Sequence, residues 1–176
     1  NVQNFVVLKL DYDGVVVWGE QYCRSNDDIA YSVRQTSEGG YIIAGGTTPV
    51  GSITKDIWII KLAANGSIEW QKTYDGTYDD VAYSIQQISD GGFIVAGVTT
   101  SFGAGNSDFW VLKLDGNGNI GSGCSVIGTS SATVSSTGIT AVDSSGTVNN
   151  TNATVTQTSV TPQDSTALMA TQCSSP

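Results

Sequence analysis

Two acidic pairs, Asp27-Asp28 and Asp79-Asp80, are the first residues that invite a chemical reading. Paired carboxylates serve general acid–base catalysis, or hold calcium when further oxygen ligands stand nearby. Here each pair precedes an Ala-Tyr-Ser run (Ala30-Tyr31-Ser32 and Ala82-Tyr83-Ser84), so it belongs to a longer recurring pattern. A feature carried by every copy of a repeat reads as scaffold, and loop aspartates readily accept from nearby backbone N–H groups. Asp115-Gly116-Asn117-Gly118-Asn119 opens like a calcium loop. Ile120 and Val126, however, stand where that loop needs a glycine and a glutamate. A hairpin turn accounts for it better. The chain has no histidine, which removes Ser-His-Asp and Cys-His nucleophiles and every His-containing zinc site. No catalytic, metal-binding or cofactor-binding residue is assigned, no cofactor is expected, and the chain reads as a non-enzyme.

The cysteines are Cys23, Cys124 and Cys173. Cys124 and Cys173 flank a Ser/Thr-rich tail and are expected to form a disulfide in an oxidising compartment. On a loop-entropy model that bridge restrains the unfolded tail by about 4 kcal/mol. Asn65, Asn149 and Asn152 each open an Asn-x-Ser/Thr triplet, the acceptor pattern for N-linked sugar. Trp18 and Trp70 recur at equivalent positions and read as packing residues, not as platforms for a sugar ring.

The elements that position these residues emerge from self-similarity. Asp56-Ile57-Trp58-Ile59-Ile60-Lys61-Leu62 returns as Asp108-Phe109-Trp110-Val111-Leu112-Lys113-Leu114, 52 positions on. The same displacement carries Asn4-Phe5-Val6 to the first copy, Trp18 to Trp70, Tyr22 to Tyr74 and Asp28 to Asp80, without a gap. Each unit predicts four short strands. They run from Phe5 to Leu10, about Val15 to Tyr22, about Ala30 to Thr36, and Tyr41 to Thr47. Asp13-Gly14, Asn65-Gly66 and Asn117-Gly118 supply tight turns. No stretch has helical periodicity. The repeat breaks at Cys23-Arg24 against Asp75-Gly76, and between Pro49 and Lys55 against Ser101 to Ser107. Sites are found more often where a repeat breaks, so Cys23, Arg24, Pro49 and Lys55 are the candidate binding-loop residues.

Four strands in about 50 residues make the blade of a β-propeller. The order resembles a kelch blade. It is more closely similar to the blade repeats of secreted bacterial and archaeal β-propeller proteins. The residues that carry this are Trp70-Gln71-Lys72-Thr73-Tyr74, Asp80-Val81-Ala82-Tyr83-Ser84-Ile85, and the run Asp90-Gly91-Gly92-Phe93-Ile94-Val95-Ala96-Gly97 that ends at Thr99. The resemblance spans residues 4 to 120. It implies a fold and leaves function open, because propellers host many activities. Two full blades and the first strand of a third, the content of residues 1–120, are too few to close a ring. Open faces and edge strands invite pairing with other protein.

After Ile120 every aromatic residue, Lys and Arg is gone. Residues 121–176 are expected to form an extended β arm or small β domain, since Thr and Val favour strands. Ala132-Thr133-Val134, Gly146-Thr147-Val148 and Ala153-Thr154-Val155 lie on one seven-residue grid, together with Ile139-Thr140 and Val160-Thr161. Seven is odd, whereas side chains along a strand alternate every two residues. One continuous strand would therefore present alternating faces, and short strands separated by turns are the other solution.

The formal net charge of −9 with a pI near 4.1 argues against nucleic acid and anionic lipid as partners. No apolar run approaches the roughly 20 residues that span a bilayer as a helix. The chain lacks an initiator Met and reads as processed or partial. The expectation is an all-β structural subunit of an extracellular or cell-surface assembly, plausibly filamentous, self-associating by strand pairing. The alternative is a glycan- or protein-binding part of a larger secreted propeller.

Overall fold

The computed structural model describes residues 3–24, 27–103, 105–121, 127–129 and 132–136. These residues are all-β, with no helix among them. The strands are β1 (Phe5–Leu10), β2 (Val16–Cys23), β3 (Asp28–Gln35), β4 (Tyr41–Thr47), β5 (Asp56–Leu62), β6 (Ile68–Tyr74), β7 (Asp80–Gln87), β8 (Phe93–Thr99), β9 (Asp108–Leu114), β10 (Ile127–Thr129) and β11 (Thr133–Ser136).

They form three small sheets, ordered β1-β2-β11, β10-β6-β5-β4-β3 and β7-β8-β9. All pairings within these sheets are antiparallel. The sheets divide the repeat differently from the reading above. A unit drawn from Phe5 to Thr47 does not fold as one sheet; its first two strands close one sheet and its last two open the next. The residues therefore contain one complete four-strand meander, β3 to β6, not two. The cause lies in the connections. Turns of a few residues join β3 to β4 and β5 to β6, whereas Arg24 to Asp27 and Asp75 to Asp79 carry the chain from one sheet to the next.

Packing follows the alternation of strand side chains. Ile57 and Ile59 of β5, with Ile42 and Ala44 of β4, join Ile85, Phe93, Trp110 and Leu112 in a core between the second and third sheets. Trp58, Ile60 and Leu62 point the other way and meet Phe5 and Tyr22 between the first and second sheets. The middle sheet is thus buried on both faces, which explains why β5 reads as an unbroken apolar run.

The hairpin turns are longer than a two-residue loop. Gly14 N donates to Asp11 O and Asp11 N to Val15 O, and only the glycine has positive φ (81°). That is a turn closed by a left-handed glycine and followed by a bulge between Lys9 and Leu10. A second bulge, at Tyr31 in β3 and Tyr83 in β7, explains the Ala-Gly pairs of β4 and β8. It pushes backbone toward the facing strand, so a Cβ on Gly45 would stand 1.9 Å from Ile29 O, and one on Gly97 2.1 Å from Val81 O. Room is scarce there because of the neighbouring strand.

The tail changes the account of the edges. β10 covers the outer edge of β6 and β11 covers that of β2. Two outer edges expected to lie open are therefore capped from within the chain. Among the described residues, β1, β3, β7 and β9 keep one uncovered edge each, as do the capping strands β10 and β11.

Candidate functional site

Each seam between sheets is held by the same latch. Trp18 Nε1 donates to Ala64 O (3.1 Å) and Tyr22 Oη to Gly66 O (2.6 Å) across the first seam. Trp70 Nε1 donates to Gly116 O (3.1 Å) and Tyr74 Oη to Gly118 O (2.7 Å) across the second. The acceptors lie in the β5–β6 turn and in the turn after β9. Gly66 has φ 86°, a left-handed conformation that other residues rarely adopt, and a Cβ there would stand a tight 3.3 Å from the Trp18 ring. Burial, with Glu20 nearby, pushes the Tyr22 phenol up to about 12, so it stays a donor at neutral pH.

The acidic pairs divide their work. Asp28 and Asp80 are buried at the start of β3 and β7. Asp28 accepts from Thr47 Oγ1 (2.6 Å) and from Arg24 N (2.8 Å). Asp80 accepts from Thr99, from Gly76 N (2.8 Å) and from Ser101 Oγ (2.8 Å). Each therefore ties an inter-sheet crossing to the end of the adjacent strand. The other member of each pair faces the loop before β5: Lys55 Nζ lies 3.3 Å from Asp27, and Lys55 N donates to Asp79 (2.8 Å). In the last turn, Asp115 accepts from the amides of Asn117 and Asn119 (both 2.8 Å), which holds its carboxyl below the usual range.

Arg24 is the break in the repeat with the clearest consequence. Its neighbourhood holds Asp56, Asp75 and Asp80, and its Nη1 is buried without a hydrogen-bond partner. Burial first, then repulsion from Asp75, raises the Asp56 carboxyl to about 6, while Arg24 opposes the rise. Asp75 is raised by burial and by Asp80. Arg24 thus offsets part of the negative charge of three carboxylates at this seam.

Cys23 is a half-buried cysteine that ends β2, and its Sγ accepts from Gln21 Nε2 (3.3 Å). Arg24 lies in the charged seam, and Lys55 is stapled between two acidic loops. Pro49 opens a turn in which its carbonyl accepts from Ser52 N (2.9 Å). Asn65 is exposed, and its Oδ1 is engaged by Ser67 N and Oγ (3.1 and 2.8 Å). Cys124, Cys173, Asn149 and Asn152 lie outside the described residues.

The surface that stands out most is the pair of end faces of the three-sheet stack, where the sequence led us to expect open apolar faces. Val6, Leu8 and Leu10 of β1 are the repeat equivalents of Trp58, Ile60 and Leu62. The latter are fully buried, whereas Val6 is 49% exposed and Leu8 40%. At the far end Phe109 and Val111 of β9 match the buried Ile57 and Ile59, and Phe109 is 76% exposed. A cleft of about 220 Å³ between β1, β2, β3 and the start of β4 repeats the message; Lys9, Trp18, Val33, Arg34 and Tyr41 line it. Val33 is 52% exposed there, while its equivalent Ile85 is fully buried against β4 of the preceding sheet. Sheet one has no inner pair of strands to cover Val33. The signal was available: the same apolar pattern in β1, β5 and β9 demanded a neighbour on both sides of every sheet.

No protein-family model matches the sequence, and a comparison with curated proteins returns no match. Among the described residues no helix is long and apolar enough to cross a membrane.

Proposed function

We propose that the chain is an arc of a β-propeller and serves as a structural subunit of an extracellular or cell-surface assembly. The observation that carries this reading is the pair of bare apolar faces at the two ends of the stack. They repeat the pattern that the middle sheet buries on both sides. A neighbouring copy can seat its Val6, Leu8 and Leu10 face against Phe109 and Val111, as Trp58, Ile60 and Leu62 stand relative to their own neighbour. That contact is head-to-tail, which builds a ring if it closes and a filament if it does not. The capped edges of β2 and β6 narrow the route, so pairing between copies runs through β1, β9 and the end faces. The resemblance to secreted propellers supports a location outside the cell.

A second reading shares the geometry. Further blades of one longer secreted propeller cover the same faces, and loops at the blade ends bind a glycan or protein. Light scattering after gel filtration over a micromolar concentration range separates the two. Mass that grows with concentration supports self-assembly. A single-chain mass throughout, with β1 amides exchanging freely, refutes assembly and leaves the larger propeller. Catalysis has no support in either reading.

A further inference from the structure

β1 lacks two things that its repeat equivalents β5 and β9 have. Those strands each pair with an inner neighbour, β4 or β8, whereas the same edge of β1 is bare. Their lysines also meet carboxylates: Lys61 lies 3.1 Å from Glu69, and Lys113 2.7 Å from Asp90. Val17 stands where the second copy has Glu69. Among the described residues Lys9 forms no ion pair, and its ammonium lies 6.0 Å from the centre of the Tyr41 ring. Arg34 of β3 forms none either, in a chain of net charge −9. Both cations line the same cleft beside β1, together with Val7, Trp18, Val33 and Tyr41.

We propose that the bare edge of β1 takes an extended segment of a partner protein, laid antiparallel along it over the cleft, with an acidic residue just ahead of the paired stretch. The inference goes beyond the assembly reading and leaves the two end faces to copies of this chain.

The molecule holds the template for this contact twice. β8 lies along β9 with Ile94 opposite Lys113 and Ala96 opposite Val111. β4 lies along β5 in the same register, with Ile42 opposite Lys61 and Ala44 opposite Ile59. Ile42 and Ala44 share a core with Ile85. Guest residues opposite Lys9 and Val7 therefore cover Val33, the equivalent of Ile85, which is 52% exposed without them. Asp90, in the turn before β8, reaches Lys113, and an acid at the same place in the guest reaches Lys9. Arg34 adds a second positive charge to the cleft and favours further acidity in the guest. Backbone hydrogen bonds supply affinity in such strand addition, and alternate side chains supply selectivity. Glu38-Gly39-Gly40-Tyr41 and Asp90-Gly91-Gly92-Phe93 fit the pattern, yet the β4 and β8 that they open are paired on both edges. A folded second copy thus has neither strand to give, and the guest belongs to another protein.

The probe is a synthetic peptide with the sequence of residues 88–99, added at a protein concentration where light scattering gives single-chain mass. Calorimetry is expected to show saturable one-to-one binding, and hydrogen exchange to show protection gained in residues 5–10. Asp90→Asn in the peptide should weaken binding about fivefold, as for a partly exposed ion pair. Lys9→Gln in the protein should weaken the acidic peptide by the same factor and leave the Asn peptide unchanged, a dependence that packing alone would not produce. Absence of saturable binding, protection that arises away from β1, or equal affinity for the two peptides overturns the proposal. Binding of an oligomer of glucuronic acid in place of the peptide assigns the cleft to acidic sugar and overturns it too. Because self-association is absent under these conditions, failure here leaves the assembly reading standing, and failure of assembly leaves this contact standing.

Discussion

Adjacent glycines in β4 should respond oppositely to one added methyl group. An alanine Cβ at Gly45 stands 1.9 Å from Ile29 O and 2.9 Å from Phe5 Cζ, on either side of a tight spot. An ordinary carbon–oxygen contact needs roughly 3.3 Å, so backbone must move by more than an ångström. The atom that must yield belongs to the β3–β4 ladder, whose bulge at Tyr31 created the crowding. Overpacking costs typically about 1–3 kcal/mol, and backbone displacement puts this site at the upper end, near 3 kcal/mol. At Gly46 the nearest atoms to such a Cβ are the Val81 γ-carbons at 3.7 Å, ordinary contact, and φ is not positive. The repeat already holds a side chain there, because Val98 is the equivalent of Gly46. Gly46→Ala is therefore expected to be neutral or to gain about 0.4–1 kcal/mol from a stiffer unfolded chain. Urea unfolding followed by tryptophan fluorescence reads both, since Trp58 is fully buried. In melting temperature the Gly45→Ala loss amounts to about 6–12 °C for a chain of this size. Gly97→Ala should match Gly45→Ala. If Gly45→Ala proves no worse than Gly46→Ala, the bulge does not explain the Ala-Gly pair.

Three more perturbations probe the seams. Tyr74→Phe removes the donor to Gly118 O and leaves a buried carbonyl unpaired, a loss of about 1–3 kcal/mol in urea unfolding; a change under about 0.5 kcal/mol rules the latch out. Asp80→Ala orphans Gly76 N, Thr99 and Ser101 together and should destabilise by more than Thr99→Val does, as equilibrium unfolding will show. Asp56 binds a proton more tightly folded than unfolded, so its burdensome charge weakens the fold as pH rises from about 4 through about 6. Asp56→Asn should therefore stabilise the protein at pH 8, by on the order of 2 kcal/mol after discounting for residual solvent contact, and by much less at pH 4. An equal effect at both pH values contradicts the raised carboxyl.

Strand positions were legible because their cause is local. Phe5 to Leu10 and Tyr41 to Thr47 hold the same bounds in sequence and structure, set by β-branched runs between turn residues. The phase of the sheets was not legible. A 52-residue period says nothing about where one sheet stops and the next begins; that depends on which connection leaves the sheet. The roles of Asp28 and Asp80 were read correctly in kind, as loop scaffold, but their partners Thr47 and Thr99 lie 19 positions away and needed the β3–β4 pairing to be seen. The arm was read as β-rich, yet its docking on β2 and β6 depends on backbone hydrogen bonds, which leave little mark on side-chain choice. The end faces follow from counting. Every sheet carries apolar residues on both sides, and a stack of three leaves two such sides bare.

Those two faces differ, which makes the head-to-tail contact testable by mixing. One face is built from Val6, Leu8 and Leu10, the other from Phe109 and Val111, and neither resembles itself turned over. A self-complementary dimer would need one patch to meet its own copy, whereas a heterologous contact needs one of each. Leu8→Lys spoils the first face and Phe109→Lys the second. Both side chains are already exposed in the single chain, so each variant should fold as the parent does. Alone, each variant should stay at single-chain mass at concentrations where the parent assembles. Mixed in equal amounts, each still has one good face, so the pair should stop at a heterodimer, visible by light scattering. A homodimer from either variant alone points to a two-fold contact and defeats the head-to-tail argument.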